Sequence, residues 1–134
     1  MPMTATILVV DDTLTLLDLV RDILEAADYR VSTCLLAREA CPLARRIRPD
    51  LIILDIVMPE VSGWDVLDKL RKDPLLRRAP IVICTAWAEQ AAARMREMLE
   101  PHLWLLPKPF GADDLLDTVA EALEQAEPAE TERR

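Results

Sequence analysis

At 134 residues the chain suits one domain with one core, and its 51% hydrophobic and 30% charged residues suit a globular protein. Only 4% is aromatic, so Leu, Ile, Val and Ala must fill the interior. A net charge of −8 argues against nucleic-acid binding by this chain itself and against docking on anionic lipid, both of which need clustered Lys and Arg. No run approaches the roughly 20 apolar residues that span a bilayer. Residues 1–6 carry no basic region and no small-residue cleavage signal, so a cytoplasmic location without membrane partners is expected. Cys34, Cys41 and Cys84 form no C-x-x-C pair, and His102 is the only histidine; free buried thiols are expected rather than zinc ligands.

Residues 7–10 form a short, continuous apolar run that reads as a buried strand and ends at Asp11 and Asp12. Leu16, Leu17, Val20, Ile23, Leu24 and Ala27 then recur at helical spacing, with Asp12 or Thr13 available as a cap. Asp28 is suited to the left-handed turn that ends this helix. Residues 31–35 alternate, as an edge strand does. A weaker helix covers 37–47, and Pro42 moves its regular start toward Ala40. The second continuous run, 51–54, ends at Asp55. Trp64, Leu67 and Leu70 mark a helix opened by Gly63 and closed near Asp73-Pro74. Run 81–84 leads to Thr85, and an alanine-rich helix over 88–99 stops before Pro101. Run 103–106 is followed by Pro107 and by Lys108-Pro109. Leu115, Leu116, Val119 and Leu123 mark the last helix, with Asp113 and Asp114 at its positive end. Residues 127–134 lack periodicity and read as a frayed tail, which leaves 1–126 as the domain.

Runs that are apolar throughout, rather than alternating, belong to parallel sheets covered on both faces. Strand and helix alternate five times, and right-handed crossovers then predict a doubly wound α/β sandwich. The strand ends of such a sheet lie side by side, so Asp11, Asp12, Asp55, Thr85 and Lys108 converge on one crevice. Clustered carboxylates repel unless a cation offsets them. A lysine beside them points to a hard divalent metal, Mg2+, and a phosphoryl group. Asp12 and Asp55 are placed to bind the metal directly and Asp11 through water. Asp55 is the central carboxylate and the expected nucleophile. Lys108 is expected to pair with Asp55 at rest, and Thr85 to hydrogen-bond a phosphoryl oxygen.

The stretches Leu8-Val9-Val10-Asp11-Asp12, Leu54-Asp55-Ile56-Val57-Met58-Pro59 with Gly63, Cys84-Thr85-Ala86 and Lys108-Pro109-Phe110 resemble a response-regulator receiver domain of two-component signalling. The resemblance covers about residues 5–125. It implies a flavodoxin-like (βα)5 fold with strand order 2-1-3-4-5. It implies that Asp55 accepts a phosphoryl group from a histidine kinase or a phosphotransfer protein and loses it slowly. It further implies Mg2+ bound by Asp11, Asp12, Asp55 and the Val57 carbonyl, Thr85 as switch hydroxyl, Lys108 as the site ammonium, and a cis Lys108–Pro109 peptide. The face of the fourth helix, fifth strand and fifth helix, with Thr85, Trp87, Trp104 and Leu105, would meet partners or a second copy. Both a stand-alone receiver and the front of a longer regulator fit. The alternative, a phosphatase or dehalogenase of similar topology, carries Asp-x-Asp after its first strand. Here Asp11 and Asp12 are adjacent and the best nucleophile follows the third strand.

The chain departs from the family pattern in places. Leu105 stands where a ring is usual, with Trp104 one place earlier. Pro107 removes an N–H from the last strand, and Glu100-Pro101-His102 replaces the usual small residues before it. Val57 and Trp87 are bulky and are expected to cover the phosphoryl group. Trp87, Met95, Met98, Trp104 and Leu105 are expected to form one apolar patch if exposed.

Overall fold

A computed structural model describes residues 4–126; the tail expected over 127–134 lies outside them. The strands are β1 (Thr6–Val10), β2 (Arg30–Cys34), β3 (Leu51–Leu54), β4 (Ile81–Thr85) and β5 (Leu103–Pro107). They pair in parallel in the order β2-β1-β3-β4-β5. The helices are α1 (Leu14–Ala26), α2 (Ala40–Ile47), α3 (Gly63–Lys72), α4 (Ala88–Met98) and α5 (Ala112–Gln125). The fold is therefore the flavodoxin-like arrangement expected.

Alternation along each strand sends side chains to two cores. Ile7 and Val9 pack with Leu17, Val20 and Leu24 of α1 and Leu115 and Val119 of α5. Leu8 and Val10 pack with Ala40 and Ala44 of α2, Val66, Leu67 and Leu70 of α3, and Ala91 of α4. Every residue of β3 and β4 is buried, as continuous apolarity demanded, whereas β2 at the edge is largely half-buried. Each buried Leu or Ile side chain contributes about 1.5–3 kcal/mol relative to exposure. Pro107 costs little because β5 is the other edge.

Local chemistry sets the element ends. Asp28 takes φ 71°, turning the chain from α1 into β2. Pro42 sits in the first turn of α2, and residues 37–39 ahead of it form a 3-10 turn. The Ser62 hydroxyl accepts the Trp64 amide at 3.0 Å and caps α3. Thr13 makes no side-chain cap bond at the start of α1; instead Asp11 Oδ1 accepts the Thr13 amide at 2.9 Å. Leu99 ends α4 in the left-handed region, φ 53°.

At the amino end of the sheet, Arg71 ties three segments together. Its Nη1 donates to the carbonyls of Ala79 at 2.7 Å and Arg77 at 3.2 Å, and its Nη2 to that of His102 at 3.1 Å. Its Nε lies 2.8 Å from Glu100 Oε1. Leu76, in the same loop, is buried.

The single apolar patch expected on α4 and β5 is divided. Trp104 packs into the α1/α5 core, while Leu105 and Met95 pack into the opposite one. Adjacent strand residues point to opposite faces, so Trp104 and Leu105 cannot share one. Trp87 and Met98 remain exposed.

Candidate functional site

Backbone ladders deliver the polar groups to the carboxyl edge of the sheet. The Asp11 amide donates to the Cys34 carbonyl at 3.1 Å, Asp55 to Val10 at 3.0 Å, and Lys108 to Thr85 at 2.8 Å. Each residue is thus fixed by a neighbouring strand, and β1 beside β3 sets Asp11 beside Asp55. Among the described residues, Asp11, Asp55 and Thr85 are the buried polar or charged ones. Buried carboxylates without partners are costly, so their coincidence in one crevice requires compensation.

Part of it comes from Lys108, whose Nζ lies 2.9 Å from Asp11 Oδ2 and 3.4 Å from Asp55 Oδ2. The ammonium bridges both groups, and its shorter contact is to Asp11 rather than to Asp55. Further compensation comes from the backbone, since the Val57 amide donates to Asp55 Oδ1 at 3.0 Å. Burial still pushes the Asp55 carboxyl above the usual range, against the Val57 hydrogen bond and the Lys108 charge. Burial alone would lower Lys108, but the hydrogen bond and charge of Asp11, with Asp55 behind it, hold it above its ordinary value.

Asp12 is exposed at the mouth, and carboxylate oxygens of Asp11, Asp12 and Asp55 lie within 4.8 Å of one another. Three carboxylates against one ammonium leave two negative charges. All the donors are hard oxygens, the kind that suits a Mg2+-sized dication. The residues present fit such an ion. Thr85 is fully buried, and its Oγ1 accepts the Trp87 amide at 3.1 Å. The side chains of Val57 and Trp87, 50% and 56% exposed, stand at the rim. The Lys108–Pro109 peptide is cis.

Two contributions to the site were not foreseen from the sequence. The Val57 amide has no sequence signal. Gly63 was expected to open the third helix, as it does, but not to pack against the strand end that carries Asp55. Its amide donates to the Ile56 carbonyl at 3.1 Å, and a Cβ there would strike the Asp55 carbonyl oxygen and Ile56 Cα. Only the absence of a side chain lets α3 start against the strand end that carries Asp55.

Cys84 sits one residue before Thr85, on the α1/α5 side of the sheet. Burial pushes its thiol up to about 12, with Lys108 pulling the other way. The unfolded thiol ionises at about 8.5. The folded state therefore holds the proton more tightly, and this stabilisation is complete below that pH and lost as pH rises toward 12. The urea midpoint should fall more between about pH 8 and about pH 10 in the wild type than in Cys84→Ala; equal slopes would refute the burial effect.

A parallel sheet of this order with an acidic crevice and a lysine at its carboxyl edge places the chain among the receivers of two-component signalling. Over residues 7–120 it matches the response regulator receiver domain, and it belongs to that family. It is 41% identical over 86 residues to the polar-differentiation response regulator DivK of Brucella ovis, which covers 64% of this chain and 70% of DivK. The structure of chemotaxis protein CheY4 of Vibrio cholerae is similar at TM-score 0.82 and 28% identity, covering 90% of this chain and 99% of that one. The non-phosphorylated HemR receiver domain of Leptospira biflexa gives 0.81 and 28%, covering 94% and 99%. Among the described residues no helix is long and apolar enough to cross a membrane.

Proposed function

We propose that the protein is a phosphoacceptor switch in which Asp55 takes a phosphoryl group from a phosphohistidine on a histidine kinase or phosphotransfer protein in the cytoplasm. The observation that carries this reading is the state of Asp55. It is a buried carboxylate with one oxygen held by the Val57 amide and the other facing Lys108, beside two further carboxylates. One Asp55 oxygen attacks phosphorus. The P–N bond breaks, its electron pair returns to the imidazole, and an acyl phosphate remains. Asp11, Asp12, Asp55 and the Val57 carbonyl would hold Mg2+, which offsets charge on the phosphoryl oxygens. Lys108, already shared between Asp11 and Asp55, turns part of its charge to the new group. Thr85 gives up its bond from the Trp87 amide and donates its hydroxyl to a phosphoryl oxygen. That step shifts the Thr85–Trp87 turn and with it the α4, β5 and α5 face offered to a partner or a second copy.

Incubation with acetyl phosphate and Mg2+ should add the mass of one phosphoryl group, and Asp55→Asn should abolish the gain. Uptake that persists in Asp55→Asn, or none in the wild type, would overturn the reading. Val57 and Trp87 flank the site and limit the approach of water. Trp87→Ala should speed loss of the phosphoryl group roughly three- to tenfold, a barrier change of about 0.7–1.4 kcal/mol. An unchanged decay rate would show that Trp87 does not shield.

A further inference from the structure

We propose that Arg94 and Trp64 form a latch that holds α4 against the phosphoacceptor loop and carries movement of that loop to the helix. Of the 11 residues of α4, Ala91 alone is buried, against three in α1, four in α3 and three in α5. Trp87, ahead of it, makes no side-chain cap bond, and Leu99, behind it, is 86% exposed. With Ala91 buried and Met95 only partly buried against the core, α4 lies at the low end of local stability. Any single added contact is then a large share of what holds it.

That contact is a cation–π pair. The Arg94 guanidinium carbon lies 4.7 Å from the centroid of the Trp64 ring. Trp64 is the second residue of α3, and its ring packs on the core containing Leu54, Ile56 and Ile83. Its backbone is tied to the segment that carries Asp55. The Trp64 amide donates to Ser62, the Gly63 amide donates to Ile56, and Gly63 abuts the Asp55 carbonyl. A displacement of Asp55 or Val57 therefore moves the ring on which Arg94 rests. This connection reaches the middle of α4, whereas the Thr85–Trp87 hydrogen bond reaches its start. Arg94 also lines a shallow outer groove with Gln90, Ala93, Glu97 and Met98, so its engagement alters the surface that α4 offers.

Hydrogen exchange on the full chain tests the latch in two arms. Without phosphoryl, α4 amides should exchange about two- to fivefold faster in Arg94→Gln and in Trp64→Leu, with no further gain in the double variant, and less so in Arg94→Lys. Arg94 is exposed, so Arg94→Gln keeps the fold. Wild-type exchange in both single variants, or effects that simply add, would overturn the latch. The second arm rests on the phosphoacceptor reading. Beryllofluoride with Mg2+ should change α4 exchange in the wild type and change it less in Arg94→Gln, while the analogue binds both equally. An equal response in the two proteins would overturn the coupling. Failure of the analogue to bind the wild type would overturn the phosphoacceptor reading instead, and the first arm would still decide the latch.

Discussion

Gly63→Ala is expected to destabilise the protein by about 3 kcal/mol or more and to cut phosphoryl uptake sharply. No glycine here has positive φ, so the cost is steric rather than conformational. The added methyl meets the Asp55 carbonyl oxygen and Ile56 Cα, with the Asp55 carbonyl carbon at 2.9 Å. Backbone atoms on a central strand end cannot rotate away as a side-chain tip can. Overpacking therefore reaches or exceeds the upper end of its usual 1–3 kcal/mol. The shift that relieves it moves Asp55 itself, so function suffers along with stability. Gly111→Ala is the internal control: its methyl would lie 3.7 Å from Asp114 Oδ2, an ordinary contact, so the change should cost only about 1 kcal/mol or less, as a poorer N-cap of α5. Urea denaturation and acetyl-phosphate labelling of both variants check this. A Gly63→Ala protein of wild-type stability would show that the contact at the start of α3 is slack.

Lys108→Met is expected to cost about 3 kcal/mol at neutral pH, because it leaves the Asp11 and Asp55 carboxylates buried side by side without their cation. The side chain of Lys108 is 22% exposed and those of its partners 3% and 6%, so solvent screening is weak. The deficit should shrink on acidification, as the Asp55 carboxyl, which burial already holds above the usual carboxylate range, takes up a proton. It should also shrink on adding Mg2+, which supplies the missing charge. Folding midpoints at two pH values, with and without Mg2+, measure both effects. A midpoint that is unchanged at neutral pH would refute the claim that Lys108 offsets this cluster.

Much of this architecture was legible because the sequence states it locally. The runs at 7–10, 51–54, 81–84 and 103–106 are apolar throughout, and each strand lies within a residue of its run. Pro42 placed the start of α2, and Asp28 the turn after α1. Asp11, Asp12, Asp55, Thr85 and Lys108 could be gathered because parallel topology brings strand ends together. What was not legible depends on distances between separate segments. That Lys108 lies nearer Asp11 than Asp55 follows from side-chain reach. The bonds made by Arg71 span 6 to 31 residues and leave no periodic trace. The division of Trp104 from Leu105 could have been read from strand alternation, but grouping the apolar residues of α4 and β5 by element concealed it.

The clamp made by Arg71 gives the two poles of the sheet unequal stiffness. At the amino pole one guanidinium holds the end of α3 and the approaches to β4 and β5 through charge-assisted bonds. At the carboxyl pole the loops meet around mutually repelling acids, and α4 rests on little apolar contact. In the proposed switch, strain introduced among those acids would be relieved where it arises. The far pole would then serve as a fixed fulcrum, turning a small electrostatic event into a tilt of one helix rather than a diffuse loosening of the whole domain.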